Sequence, residues 1–218
     1  MRTVAFVTQK GGSGKSTLAA CLAVAAQAAG ERVFLLDMDP QKSLTSWARE
    51  RNDADLGVEA VTAGKLVAAL RMLAKSKVSL AIIDTPATDC PEADAAMRAA
   101  DLAIIPARPT VFDIWSSEAT RAKLKAMRKD FAFVLTQCSP FVEGARAQDG
   151  AAALEAMGGL LRPLIANRVV YQEAMRHGLG VTEIEPEGKA AEEIDALWVS
   201  LRRRLGRVKP AERSRQVA

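Results

Sequence analysis

The sequence predicts a doubly wound α/β fold, one mostly parallel sheet with helices on both faces. Short apolar runs alternate with longer amphipathic stretches, the pattern of strand–helix–strand units. The apolar runs lack polar/apolar alternation, as expected of strands covered on both faces. A length of 218 residues suits one such domain.

In chain order, the expected strands are Val4–Thr8, Val33–Asp37, Leu80–Asp84, Leu102–Pro106 and Phe131–Thr136, with a short last one near Leu164–Ala166. Helices fit between them. Ser16–Ala29 ends before Gly30, a suitable C-terminal cap. Ser43–Arg51 follows the Pro40-Gln41 turn, and Lys65–Lys75, Glu92–Ala100 and Asp113–Lys129 come next. In the last of these, Trp115, Ala119, Ala122 and Ala126 recur at helical spacing and read as a core face. Gly188–Leu205 is the clearest amphipathic helix, with Ala190, Ala191, Ile194, Leu197, Trp198, Leu201 and Leu205 in one apolar stripe. An α/β domain over residues 1–205 and a basic, disordered tail over 206–218 follow from this reading.

Between the first run and the first helix stands Thr8-Gln9-Lys10-Gly11-Gly12-Ser13-Gly14-Lys15-Ser16-Thr17. Glycines there let successive N–H groups turn inward on an anion, and the helix behind adds its positive end. Lys15 is placed to reach β- and γ-phosphates, the Ser16 hydroxyl to ligate Mg²⁺, and Thr17 to reach the α-phosphate. The ordinary Walker A loop is Gly-x-x-x-x-Gly-Lys-[Ser/Thr]. Gln9 stands where that pattern has its first glycine, and Lys10 is a second lysine among the glycines.

Lys-Gly-Gly-x-Gly-Lys-[Ser/Thr] resembles the deviant Walker A motif of the ParA/MinD class of P-loop ATPases. Asp37-Met38-Asp39-Pro40-Gln41, Asp84-Thr85-Pro86 and the stretch Pro109-Thr110-Val111-Phe112-Asp113 resemble later segments of that class, in the expected order. Asn167-Arg168, Glu173-Ala174, Gly178 and Gly188-Lys189-Ala190-Ala191 look like its carboxy-terminal pattern. Ala87 departs from it, since many members have a second proline there.

The resemblance implies ATP and Mg²⁺ as cofactors, with residues Gly11 to Thr17 cradling the nucleotide. It makes Asp39 the residue that positions the attacking water and gives Lys10 to the nucleotide of a partner subunit. Asp84, ending a buried strand beside the loop, is expected to hold a water on Mg²⁺, and Asp37 to stand just behind the metal. Asn167 is the candidate for the adenine edge, with the loop near Gln137. An ATP-bound homodimer follows, weak in hydrolysis alone and stimulated by a ParB-like adaptor.

Charge adds a further expectation. The net charge is +4, but residues 202–218 alone carry +6 and the rest sum to −2. Arg202, Arg203, Arg204 and Arg207 are therefore the candidates for binding DNA without sequence preference. Arg168 and Arg176 are further surface candidates. The first expectation is segregation of plasmid or chromosomal DNA in the cytoplasm, on the nucleoid. Positioning of protein clusters or organelles is the alternative, as is a MinD-like role at a membrane. The tail has little bulk to insert in a bilayer, so no stable membrane anchor is expected. Because the first strand starts at once, neither a signal peptide nor a preceding operator-binding domain is expected. Cys21, Cys90 and Cys138 lack metal-ligand spacing, which speaks against an iron–sulfur carrier. His177, the single histidine, reads as a cap or surface residue.

Overall fold

The computed structural model describes residues 1–51, 56–139 and 145–208. Its strands are β1 (Arg2–Phe6), β2 (Val33–Asp37), β3 (Gly57–Ala60), β4 (Leu80–Asp84), β5 (Leu102–Ala107), β6 (Phe131–Leu135) and β7 (Leu160–Leu161). The helices are α1 (Lys15–Ala28), α2 (Ser43–Glu50), α3 (Ala63–Lys75), α4 (Pro91–Ala99), α5 (Val111–Ala126), α6 (Ala145–Ala156), α7 (Val170–Arg176), α8 (Val181–Ile184) and α9 (Lys189–Arg207). The strands form one parallel sheet in the order β3-β2-β4-β1-β5-β6-β7. The doubly wound expectation therefore holds.

Two apolar clusters cover the two faces of the sheet. One gathers α1, α2 and α7 to α9, the other α3 to α6. The helix after β1 thus leaves to one face and the helix after its neighbour β4 to the other. Such divergence opens a crevice at the carboxyl ends of the strands, where α/β sheets bind ligands.

Residues Leu18 to Ala26 of α1 are all buried. With the sheet on one side and α8 and α9 on the other, this helix needs no polar face, which explains its run of alanines. A Cβ at Gly180 would stand 2.9 Å from Cβ of Val24, so α8 approaches α1 closely. The expected α9 stripe is buried throughout. Among the described residues no helix is long and apolar enough to cross a membrane.

Several elements differ from expectation. β3 is a short edge strand with Glu59 and Ala60 exposed, so it has no apolar run to announce it. The last strand lies at Leu160–Leu161 rather than near Leu164–Ala166. That later segment still follows β6: Ile165 N–H donates to the Leu135 carbonyl at 2.9 Å and Cys138 N–H to that of Ile165 at 3.0 Å. Helices α6, α7 and α8 were not expected; α7 and α8 have only 7 and 4 residues, too short for a periodic signal. Of the expected tail, residues 206–207 belong to α9, and 209–218 lie outside the described residues.

The largest correction concerns α5. Trp115, Ala119, Ala122 and Ala126, expected in the core, are all exposed. Asp113, Ser117, Thr120 and Leu124 face inward instead. Asp113 decides this rotation. Its carboxylate binds Arg108 Nε at 2.9 Å, Arg108 Nη2 at 3.2 Å and Thr110 Oγ1 at 2.6 Å. The helix must turn that face down, and the Ser117 hydroxyl then donates to the Asp113 carbonyl at 2.8 Å.

A clasp joins α2 to the α7–α8 corner. The Arg51 guanidinium grips the Glu183 carboxylate at 2.7 and 2.8 Å, donates to the Gly178 carbonyl at 3.2 Å and lies 5.4 Å from the Trp47 ring centre. His177 caps α7 and is exposed, as expected. Gly178 follows at φ 66°, where a Cβ would come within 2.2 Å of the Arg51 backbone nitrogen. Gly178→Ala is therefore expected to lower stability by about 2 kcal/mol or more, from combined left-handed strain and backbone collision. Urea unfolding of the nucleotide-free protein measures this.

Candidate functional site

The crevice is lined by the turn after β1. Gly12 at φ 72° and Gly14 at φ 88° take the left-handed backbone that the turn requires. Lys10 N–H is tied to Thr8 Oγ1 at 3.3 Å, while its ammonium has no ion-pair partner among the described residues. The loop is braced from β6 as well. Thr136 Oγ1 donates to the Ser13 carbonyl at 2.9 Å, and Gln137 Nε2 to the Gly12 carbonyl at 2.6 Å. Sequence reasoning connected Gln137 with the base. Its amide braces the phosphate loop, and the residue also lines the adjoining cleft.

Asp84 ends β4, level with Phe6 of β1, and is fully buried. Ser16 Oγ donates to its Oδ2 at 2.5 Å, while Oδ1 is buried with no hydrogen-bond partner. Burial raises the Asp84 carboxyl to about 7; the Ser16 hydrogen bond and the Lys15 charge oppose this, and Asp37 and Asp39 reinforce it. Lys15 is buried too, which lowers its pKa against the pull of Asp84 and Asp39. A buried carboxylate oxygen lacking a donor, beside a serine hydroxyl, is a donor set suited to Mg²⁺, a hard cation that binds oxygen and keeps several waters. These residues fit the metal expected from the sequence.

Asp37 is level with Asp84 across β2 and β4, next to the place expected for the metal. Its Oδ1 accepts from Asp39 N–H at 3.1 Å, and its Oδ2 from Thr45 N–H and Oγ1, both at 2.9 Å. Both oxygens are held by protein donors, so Asp37 shapes the turn that presents Asp39. Asp39 uses one oxygen to accept from Gln41 N–H at 2.9 Å and is half-buried. Asp39 lines the same cleft of about 460 Å³ as Gly11 to Thr17.

A second cleft, of about 290 Å³, adjoins the first at Gly14 and Thr17. Asn167, Gln137, Ile165 and Tyr171 line it. It has the place and the mixed lining for a base next to its phosphates. Asn167 is exposed at its rim.

Arg108 escaped the sequence reading. Its guanidinium is fixed by Asp113, and a Cβ on Gly12 would lie 3.9 Å from its Nη1. Burial pushes Asp113 up, but hydrogen bonds from Arg108 and Thr110 outweigh it and hold the carboxyl below the usual range. An arginine after a strand is too common to signal this; the fold brings it over the loop.

The basic candidates sit elsewhere. Arg202, Arg203 and Arg207 are exposed at the end of α9. Arg204 was expected on the same exposed side, but it is half-buried and turns Nη2 to the Phe131 carbonyl at 3.4 Å. Phe131 starts β6, so this helix end lies at the sheet end opposite the phosphate loop. Glu193, near the start of α9, accepts from Ala166 N–H at 3.1 Å and pairs with Arg168 at 2.6 Å. Arg168 is thus engaged inside the fold, while Arg176 is exposed. Burial raises the Cys21 and Cys138 thiols to about 12 and about 11.

Residues 1–148 match a family described as an AAA domain. The chain is 30% identical over 210 residues to the maintenance of carboxysome distribution protein A of Halothiobacillus neapolitanus, covering 89% of this chain and 94% of that protein. It is 43% identical over 116 residues to the protein of the same name from Gloeobacter kilaueensis, a match spanning 52% of each chain. Among solved structures it resembles the septum site-determining protein MinD of Pyrococcus horikoshii OT3 complexed with Mg-ADP. That likeness has a TM-score of 0.74 at 19% identity, and covers 98% of this chain and 99% of the other.

Asp84→Asn is expected to abolish the gain in ATP affinity that Mg²⁺ gives the wild type, at a cost of about tenfold or more in the presence of metal. Titration of a fluorescent ATP analogue with Mg²⁺ and with a chelator measures both values.

Proposed function

This chain belongs to the ParA/MinD-type P-loop ATPases, and we propose that within this family it is an ATP-gated dimer that positions a large protein body in the cell. It is an ATPase with ATP and Mg²⁺ as cofactors. Phosphoryl transfer to water needs charge neutralisation, a held water and exclusion of solvent. Bound Mg²⁺ neutralises phosphate charge. The residues of the chain do the rest. Ser16 would hold the metal and Asp84 a water on it, Lys15 and the loop N–H groups would hold the phosphates, and Asp39 would orient the attacking water. Asp37 keeps Asp39 in place.

One observation carries the dimer: the loop holds a second lysine. Lys15 already serves the chain's own phosphates, and the ammonium of Lys10 has no ion-pair partner among the described residues. Lys10 instead completes the site of a second copy, much as an arginine finger does. ATP is then part of the interface, and its hydrolysis favours separation. Adenine is read in the smaller cleft, with Asn167 at its rim.

For the cargo, the carboxysome-distribution relatives support a protein body or organelle, the alternative in the sequence reading, over plasmid or chromosomal DNA. DNA enters this reading as a matrix. The exposed Arg202, Arg203 and Arg207 support contact with phosphate backbones without base readout. Arg204 is left out of that set because it faces the sheet. An adaptor on the cargo would stimulate hydrolysis and release the dimer. These steps place the protein in the cytoplasm, on the nucleoid.

Lys10→Ala is expected to bind ATP within about threefold of wild type, about 0.7 kcal/mol, and to lose ATP-induced dimers in light scattering. Unimpaired dimers would overturn the role given to Lys10. Binding to DNA of arbitrary sequence is expected to require ATP and to fall steeply with salt. The Arg202/Arg203/Arg207→Ala variant is expected to lose about tenfold or more in affinity. Equal, ATP-independent retention by both proteins in a gel-shift assay would remove DNA as the matrix.

A further inference from the structure

Helix α5 buries a partly polar face and exposes an aromatic pair. Its inward face carries Asp113, Ser117 and Thr120, all buried, while its outer face begins with Val111, Phe112 and Trp115, exposed by 57, 70 and 67%. The Phe112 and Trp115 rings pack edge to face, 5.8 Å between centres. Ala119, Ala122 and Ala126 continue that outer face, all exposed. Apolar residues scattered over a surface need no explanation, but a paired aromatic patch on a helix whose polar side is buried does.

The place of the patch identifies what covers it. The first turn of α5 directly follows Arg108-Pro109-Thr110, and the Arg108 guanidinium lies over Gly12. Lys10 is two residues from Gly12. A second copy seated near enough for its nucleotide to meet Lys10 comes down on this same end of the sheet, beside the first turn of α5. Further along, Lys123 of α5 is ion-paired to Asp89 and Asp94. Asp89 lies on the segment that leaves Asp84, so both nucleotide-facing segments grip this helix.

We propose that Val111, Phe112 and Trp115 form an apolar part of the interface with a second copy of this chain, closed in the ATP state. This rests on the ATP-gated dimer proposed above and assigns its surface. The two rings offer on the order of 300 Å² of exposed area. A stable interface takes roughly 800 Å² from each partner. The patch alone is too small to hold two copies together and needs the contacts that nucleotide adds. That makes the dimer conditional on ATP.

The test uses the full chain with Mg²⁺ and a non-hydrolysable ATP analogue. Phe112→Ser/Trp115→Ser alters only exposed side chains. It is expected to bind a fluorescent ATP analogue within twofold of wild type and to dimerise at least tenfold more weakly in sedimentation. Wild-type dimerisation constants for this variant would overturn the assignment. Tryptophan emission gives a measurement without mutation. Trp47 and Trp198 are 4% exposed, so acrylamide quenching reports mainly on Trp115. Quenching is expected to fall by more than half when the analogue induces dimers. If wild type dimerises and Trp115 stays quenchable, the surface is wrong and the gated dimer stands. If wild type remains monomeric with the analogue, the gated dimer falls, and this surface with it.

Discussion

The hydrogen bond from Ser16 to Asp84 joins the two halves of the site, and much of the fold serves to keep it. Ser16 lies in the first turn of α1 and Asp84 at the end of β4. Only the parallel register of β1 and β4, with Phe6 level with Asp84, puts them within 2.5 Å. Divergence of the helices after these two strands opens the space for phosphates. Thr85 adds a further tie, donating its hydroxyl to the Phe6 carbonyl at 2.8 Å. Burial makes the ionised Asp84 costly, and a bound cation offsets that cost.

The loop itself is held from several directions, and each support comes from a different strand end. Thr136 and Gln137 grip its carbonyls from β6, and Arg108 lies over it from β5. Asp37 and Thr45 fix the neighbouring turn from β2. A change at the phosphates therefore reaches several elements without long-range wiring. Helix α5 is the clearest case. Its rotation is set by Asp113, whose partner Arg108 lies near Gly12 of the loop, and Lys123 ties its other end to the chain leaving Asp84.

The positive charge is placed with equal consequence. The 19 residues of α9 span about 28 Å, and its arginine end lies beside the start of β6, away from the nucleotide crevice. Two copies meeting at their crevices would carry these ends outward. In the proposed arrangement, dimerisation would double the number of basic ends on one particle, which would multiply affinity for a polyanion by effective concentration.

The sequence alone determined the parts governed by local chemistry. A glycine-rich turn behind an apolar run, two lysines and strand-end aspartates mark the crevice as a candidate phosphate and metal site, because that chemistry needs particular residues at short, fixed spacing. Continuous apolar runs announced the central strands for the same reason. The stripe of α9 was legible from periodicity, and alanine-rich α1 from the phosphate loop before it and Gly30 after it. Tertiary structure decided the rest. That Thr45, eight residues on, binds Asp37 and helps fix the turn carrying Asp39 was decided by the fold. Arg108 and Gln137 became loop supports only because β5 and β6 lie beside β1. Edge strand β3 was invisible because a half-exposed edge needs no apolar pattern. Most tellingly, the period of α5 was correct but its phase was not. Apolar spacing shows that a helix has two faces; the buried Asp113 at its first turn, bound by Arg108 and Thr110, set which face is inside.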